Sequence, residues 1–107
     1  MAYKIKWSPR AASDFEEICE YISSNSELYA VFFARRINAI VKEFPRFPKA
    51  GRIVPEYQDN NLREKIFSGY RIIYRIKVDY IEVVAICHGA RLLLSDSISE
   101  IEPLSDG

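Results

Sequence analysis

Residues 3 to 7 read Tyr, Lys, Ile, Lys, Trp. Alternation with aromatic and β-branched residues on one side predicts a short, half-buried strand. Ser8-Pro9 follows. Serine is a preferred N-cap, and proline at the first helical position gives up an N–H that has no intrahelical partner anyway, so a helix is expected to start there. Ala11, Phe15, Ile18 and Ile22 then recur on one helical stripe with Cys19 beside it, while Asp14, Glu16, Glu17 and Glu20 are placed on the outer side. The run Ser23-Ser24-Asn25-Ser26 breaks the period. Ser24 and Glu27 have capping-box spacing, predicting a second helix from there to about Phe44, with Ala30, Phe33, Ala34, Ile37, Ile40, Val41 and Phe44 as its apolar face. So short a link predicts a helical hairpin.

Pro45, Pro48 and Gly51 end helical structure, and residues 45 to 60 read as a long irregular connection of the kind that usually has a function. Three strand-like runs follow: Leu62 to Phe67, Tyr70 to Ile76 and Tyr80 to Cys87, separated by Ser68-Gly69 and by a turn at Val78-Asp79. The order predicts an α+β domain, β-α-α-β-β-β, with the helical hairpin packed on one face of a small, mostly antiparallel sheet. Centring the last turn on Val78-Asp79 sets Arg75 opposite Glu82, Ile73 opposite Val84 and Arg71 opposite Ile86. Tyr70, Ile72, Tyr74, Ile76, Ile81, Val83, Ala85 and Cys87 then share the face under the helices. Arg71, Ile73, Arg75, Lys77, Tyr80, Glu82, Val84, Ile86 and His88 share the other, which is left open for function.

With 107 residues the chain has room for one domain, residues 1–107, whose acidic end, 95–107, is either frayed or carries one short element. Hydrophobic residues at 49% and charged ones at 28% exclude disordered and membrane-embedded classes. Cys19 and Cys87 lack metal-ligand spacing and read as reduced core thiols, which suits a cytoplasmic location. The N-terminus has no signal-peptide pattern. Fifteen basic and fifteen acidic residues cancel, but not locally. Residues 42–76 hold eight basic against four acidic side chains, and residues from Lys77 onward hold two against six. The middle of the chain is therefore expected either to offer a basic surface to an anionic partner or to carry ordinary solvated charge.

No phosphate-binding loop, dinucleotide fingerprint, zinc-protease helix or nucleophile elbow is present, so no cofactor, no metal and no small-molecule substrate is expected. His88, the sole histidine, is either a general acid or base or a strand-end residue bonded to backbone. Arg52, Arg63, Arg71 and Arg91 have the chemistry to hold phosphates in a bidentate fork. Arg71 and Arg75 are equally suited to carboxylates of a protein partner, or Arg75 simply to Glu82, and Arg63-Glu64 to a structural pair at a strand end. Leu92-Leu93-Leu94 is either docking surface or core.

Ser8-Pro9 with Ala12, Asp14 and Phe15, then Tyr21-Ile22, Pro45 to Pro48, Gly51-Arg52, Pro55-Glu56, Arg63-Glu64, Tyr70 to Arg75 and His88-Gly89-Ala90-Arg91 resemble, in order and spacing, toxins of the RelE/ParE superfamily. The resemblance implies the same α+β fold and the toxin of a bacterial type II toxin-antitoxin system, of the kind that stabilises plasmids, which arrests growth until a cognate antitoxin wraps it. ParE-like members inhibit DNA gyrase; RelE-like members cut mRNA on the ribosome with clustered basic residues and usually a Tyr or His near the C-terminus. The His88-to-Arg91 ending looks ParE-like, and Leu92 to Ile98 contain no Tyr or His, a departure from the ribonuclease pattern. The expectation is therefore a gyrase inhibitor whose partner-binding residues are Arg71, Arg75, Arg91, Leu92 and Leu93. The alternative is a ribonuclease using Arg52, Arg63, Arg71 and His88, and a third reading is an inactive module that keeps only antitoxin binding.

Overall fold

In the computed structural model, which describes residues 3–89, strand β1 (Lys4–Trp7) runs directly into helix α1 (Pro9–Ser23). Ser8 makes that junction in two ways. Its Oγ accepts from the Ala11 N–H at 2.9 Å as the N-cap, and donates to the Val84 carbonyl at 2.9 Å, which ties the helix start to the sheet. Helix α2 (Glu27–Glu43) starts later than the Ser24-Glu27 spacing suggested. An N-cap needs extended backbone, which Ser26 has (φ −157°, ψ 108°), and its side chain accepts from Tyr29 N–H at 3.0 Å. Ser24 is helical and closes α1 instead.

Beyond α2 come β2 (Arg52–Ile53), β3 (Leu62–Phe67), β4 (Tyr70–Ile76) and β5 (Tyr80–His88). They form an open five-stranded sheet in the order β1-β5-β4-β3-β2, antiparallel except for the β1–β5 pair. The two-residue β2 lies inside the stretch expected to be irregular; so short a strand leaves no periodic signal. Ser68 (φ 54°) and Gly69 (φ 82°) make the two-residue hairpin turn, with positive φ at both positions, that matches the twist of the flanking strands.

The helices cover one sheet face. Ala11, Phe33, Ile37, Val41 and Phe44 from α1, α2 and its end pack on Ile72, Tyr74, Ile81, Val83 and Ile86 from β4 and β5. Each such large side chain, fully buried, contributes about 1.5–3 kcal/mol. The β4–β5 register follows expectation from Ile76↔Ile81 to Tyr74↔Val83 and then shifts, because a bulge at Val84 inserts one residue. From there Ile73 opposes Ala85 and Arg71 opposes Cys87. The expected faces are corrected accordingly. Ile86 and His88 belong to the helix side, Ala85 and Cys87 to the other.

Asp14 explains how the bulge is tolerated. Expected on the outer side, it instead accepts the Ile86 N–H on Oδ2 at 3.0 Å, while Arg10 Nε holds its Oδ1 at 3.0 Å. Ser8 and Asp14 thus bond β5 where β1 no longer reaches it. The second face is not open either. Val54 and the half-buried Tyr57 fold over Leu62, Ile73, Val84, Ala85 and Cys87, so segment 52–61 roofs the face expected to be free.

Candidate functional site

A buried carboxylate organises this roof. Glu64 on β3 lies opposite Ile73, and its side chain has no solvent exposure. An unpaired charge there would be strongly unfavourable. Arg71 Nε donates to Oε1 at 2.7 Å and Arg52 Nε to Oε2 at 2.5 Å. Glu56, on the roof itself, takes the far side of Arg71 in a fork, with Nη1 to Oε2 at 2.9 Å and Nη2 to Oε1 at 2.7 Å. These bonds, Glu56 first and then Glu64, hold Arg71 above the ordinary arginine range against the opposing effect of burial. Further along the same strand Arg75 Nη1 donates to Asp59 at 3.1 Å, a second tie from β4 to the roof.

Arg63 is one residue from Glu64 and points the other way, as strand alternation requires. It pairs with Tyr74 across the ladder. Its guanidinium donates to the carbonyls of Lys49 (3.1 Å), Gly51 (3.0 Å) and Asn60 (2.8 Å) and to Asn60 Oδ1 (2.8 Å). Tyr74 works on the same loop. Its hydroxyl donates to the Pro48 carbonyl at 2.6 Å and accepts from the Gly51 N–H at 3.1 Å, while its ring stacks on Phe44 at 3.8 Å. Burial raises the Tyr74 phenol, and the Gly51 bond and Arg63 only partly offset this. Gly51 has no room for a side chain, since a Cβ there would lie 2.6 Å from the Tyr74 hydroxyl and 2.8 Å from the Glu64 carbonyl.

The arrangement brings some of the expected site residues together and separates others. Arg52 and Arg71 share the Glu64 carboxylate on the roofed face, Arg71 buried and Arg52 with a 62% exposed side chain. Arg63 lies on the helix side. His88 does too, but at the hairpin end of the sheet, opposite Tyr70 and in edge contact with its ring at 5.9 Å. Arg91, Leu92, Leu93 and the acidic tail lie outside the described residues. Among the described residues no His, Cys, Asp and Glu group has the makings of a metal site.

The basic excess of segment 42–76 is also partly internal. Glu43, Glu56, Asp59 and Glu64 are engaged by Arg46, Arg71, Arg75 and Arg52 respectively. The basic side chains that still face outward are Lys42, Arg46, Lys49, Arg52 and Lys65, the last beside a hollow of about 260 Å³ lined by Ile40, Glu43, Phe44, Phe47 and Ala50. Glu64 and Glu56 were the residues that sequence reasoning passed over as organisers. The Arg63-Glu64 pair was visible, but not that its two members serve opposite faces.

Two helices packed on one face of an open, mostly antiparallel five-stranded sheet are the α+β fold that this chain shares with solved toxin-antitoxin toxins. The family model for the ParE toxin of the type II toxin-antitoxin system parDE matches residues 5–93, and the chain belongs to that family. Solved structures agree in fold. A chain of the chromosomal ParDE system from P. aeruginosa superposes with a TM-score of 0.67 at 20% identity, over 81% of this chain and 96% of that one. The RelBE2 toxin-antitoxin complex from Mycobacterium tuberculosis gives 0.58 at 14% identity over 82% and 99%. The YoeB dimer from Staphylococcus aureus gives 0.55 at 18% identity over 82% and 97%. No curated protein matches the chain. No helix among the described residues is long and apolar enough to cross a membrane.

Proposed function

We propose that this toxin arrests bacterial growth in the cytoplasm by inhibiting DNA gyrase through protein contacts, without phosphodiester chemistry of its own, and that a cognate antitoxin neutralises it. One observation carries the choice between gyrase and the ribosome. The four residues a ribonuclease would need do not converge: Arg52 and Arg71 lie on the roofed face, Arg63 and His88 on the other. General acid-base cleavage needs its groups within hydrogen-bond reach of one phosphate. Arg63 is moreover engaged with loop carbonyls and Arg71 with the buried Glu64 and with Glu56 on the roof, and freeing them would dismantle the roof.

The antitoxin reading rests on family membership and on the remaining surface. Lys65 beside an apolar hollow, with exposed Lys42 and Lys49 elsewhere on segment 42–76, suits an acidic amphipathic segment that folds as it binds. The test is purified toxin in two reactions, gyrase supercoiling and ribosome-programmed mRNA integrity, each with and without antitoxin. Supercoiling should stop, transcripts should stay whole, and antitoxin should restore supercoiling. Cut transcripts with normal supercoiling would instead establish the ribosome-dependent ribonuclease, and no effect in either reaction an inactive module.

A further inference from the structure

Helix α2 has a second apolar stripe that the core does not use. Leu28, Val31 and Phe32 are 83%, 50% and 50% exposed, and with Arg35 they line a shallow hollow of about 500 Å³. Exposed Ala39 continues the line. This stripe is off the core stripe of Ala30, Phe33, Ile37 and Val41. An apolar patch of this kind on a small soluble domain marks an interaction surface.

The stripe is self-complementary. About a point midway between Val31 and Phe32, Leu28 is the mirror position of Arg35, and Val31 of Phe32. Two copies of α2 laid antiparallel therefore seat Leu28 of one against the aliphatic stem of Arg35 of the other, twice, around a central Val31–Phe32 contact. Charge fits the same pairing. Glu27 adjoins Leu28 at the N-terminal end and is exposed, so the Arg35 guanidinium lying over Leu28 reaches the partner copy's Glu27. A uniformly acidic peptide helix would meet Glu27, and behind it Glu20 and Glu16 of α1 along the groove between the helices, as like charges. We infer that the outer stripe of α2 is an isologous interface for a second copy of this chain, closed by two Glu27–Arg35 pairs.

Sedimentation of the full chain over a concentration series tests it. The chain should reach twice its mass at the upper concentrations, and Phe32→Glu should hold it monomeric with an unchanged circular dichroism spectrum. Glu27→Arg and Arg35→Glu alone should each weaken association about tenfold, and the double swap should recover most of that loss. A chain that stays monomeric throughout overturns the inference. So does a dimer indifferent to Phe32→Glu, or charge variants that the swap does not rescue. If the chain is monomeric and Phe32→Glu instead abolishes neutralisation by antitoxin, the inference also fails and the stripe belongs to the antitoxin. None of these readouts depends on whether gyrase or the ribosome is the target.

Discussion

The two faces of one sheet are held by different physics. Under the helices, Phe33, Ile37, Ile72, Ile81 and Val83 are buried by shape and water exclusion alone, an arrangement that tolerates substitution of one apolar residue by another of similar volume. On the far face, Ile73, Val84 and Leu62 are covered by a loop that contributes Val54 and the half-buried Tyr57 to the cluster. Arg71, Arg75 and Glu64 fasten it. Charges that read as a functional surface in the sequence are therefore largely the fastening of a roof. The lesson for this fold is that an arginine count on β3 and β4 says little about phosphate binding until the nearby carboxylates are placed.

Removing the fastening should expose the difference most sharply. Glu64→Ala leaves Arg71 sharing one carboxylate and Arg52 none, and should cost about 3 kcal/mol or more in urea unfolding. Replacing both Glu64 and Arg71 by leucine and methionine should recover much of that loss, because the buried pair is then absent rather than broken. If the single change costs less than a surface substitution, roughly 0.5 kcal/mol, the cluster is not what holds the roof.

Tyr74 joins the two regimes, with its ring in the apolar core and its hydroxyl on loop 48–51. Tyr74→Phe keeps the ring and should lose about 1–3 kcal/mol, since the Gly51 N–H and Pro48 carbonyl are left without that partner. The same residue sets a pH signature. Burial raises its folded value above the unfolded value of about 10, so its contribution is complete below pH ~10 and is lost as pH rises through the folded value. Stability followed from pH 8 to pH 11 should fall more steeply in the parent than in Tyr74→Phe, a smaller effect than either substitution; equal slopes would remove Tyr74 as the cause.

Much of the helix side was legible from residue pattern. The Ser8-Pro9 start, the core stripe of α2, the Ser68-Gly69 turn and the succession of β3, β4 and β5 follow from periodicity and turn chemistry, whereas the two-residue β2 and the parallel pairing of β1 with β5 do not. The far side was not. A bulge at Val84 carries no local signature, yet it moves Ile86 and His88 to one face and Ala85 and Cys87 to the other. The inward turn of Asp14 follows from the same bulge, because a freed Ile86 N–H needs an acceptor that only the tertiary fold brings near. Likewise Glu64 and Glu56 are eight residues apart along a loop, a separation from which no helix or strand period predicts a shared arginine.

The central claim is that Arg63 and Arg71 are anchors of the roof rather than grips for phosphate. It is tested most directly by observing their guanidinium Nε–H signals in the isotope-labelled toxin while an RNA oligonucleotide is added. Both signals should be slowly exchanging and stay in place throughout the titration. Signals that exchange rapidly in the free protein, or that shift together as RNA is added, would contradict it.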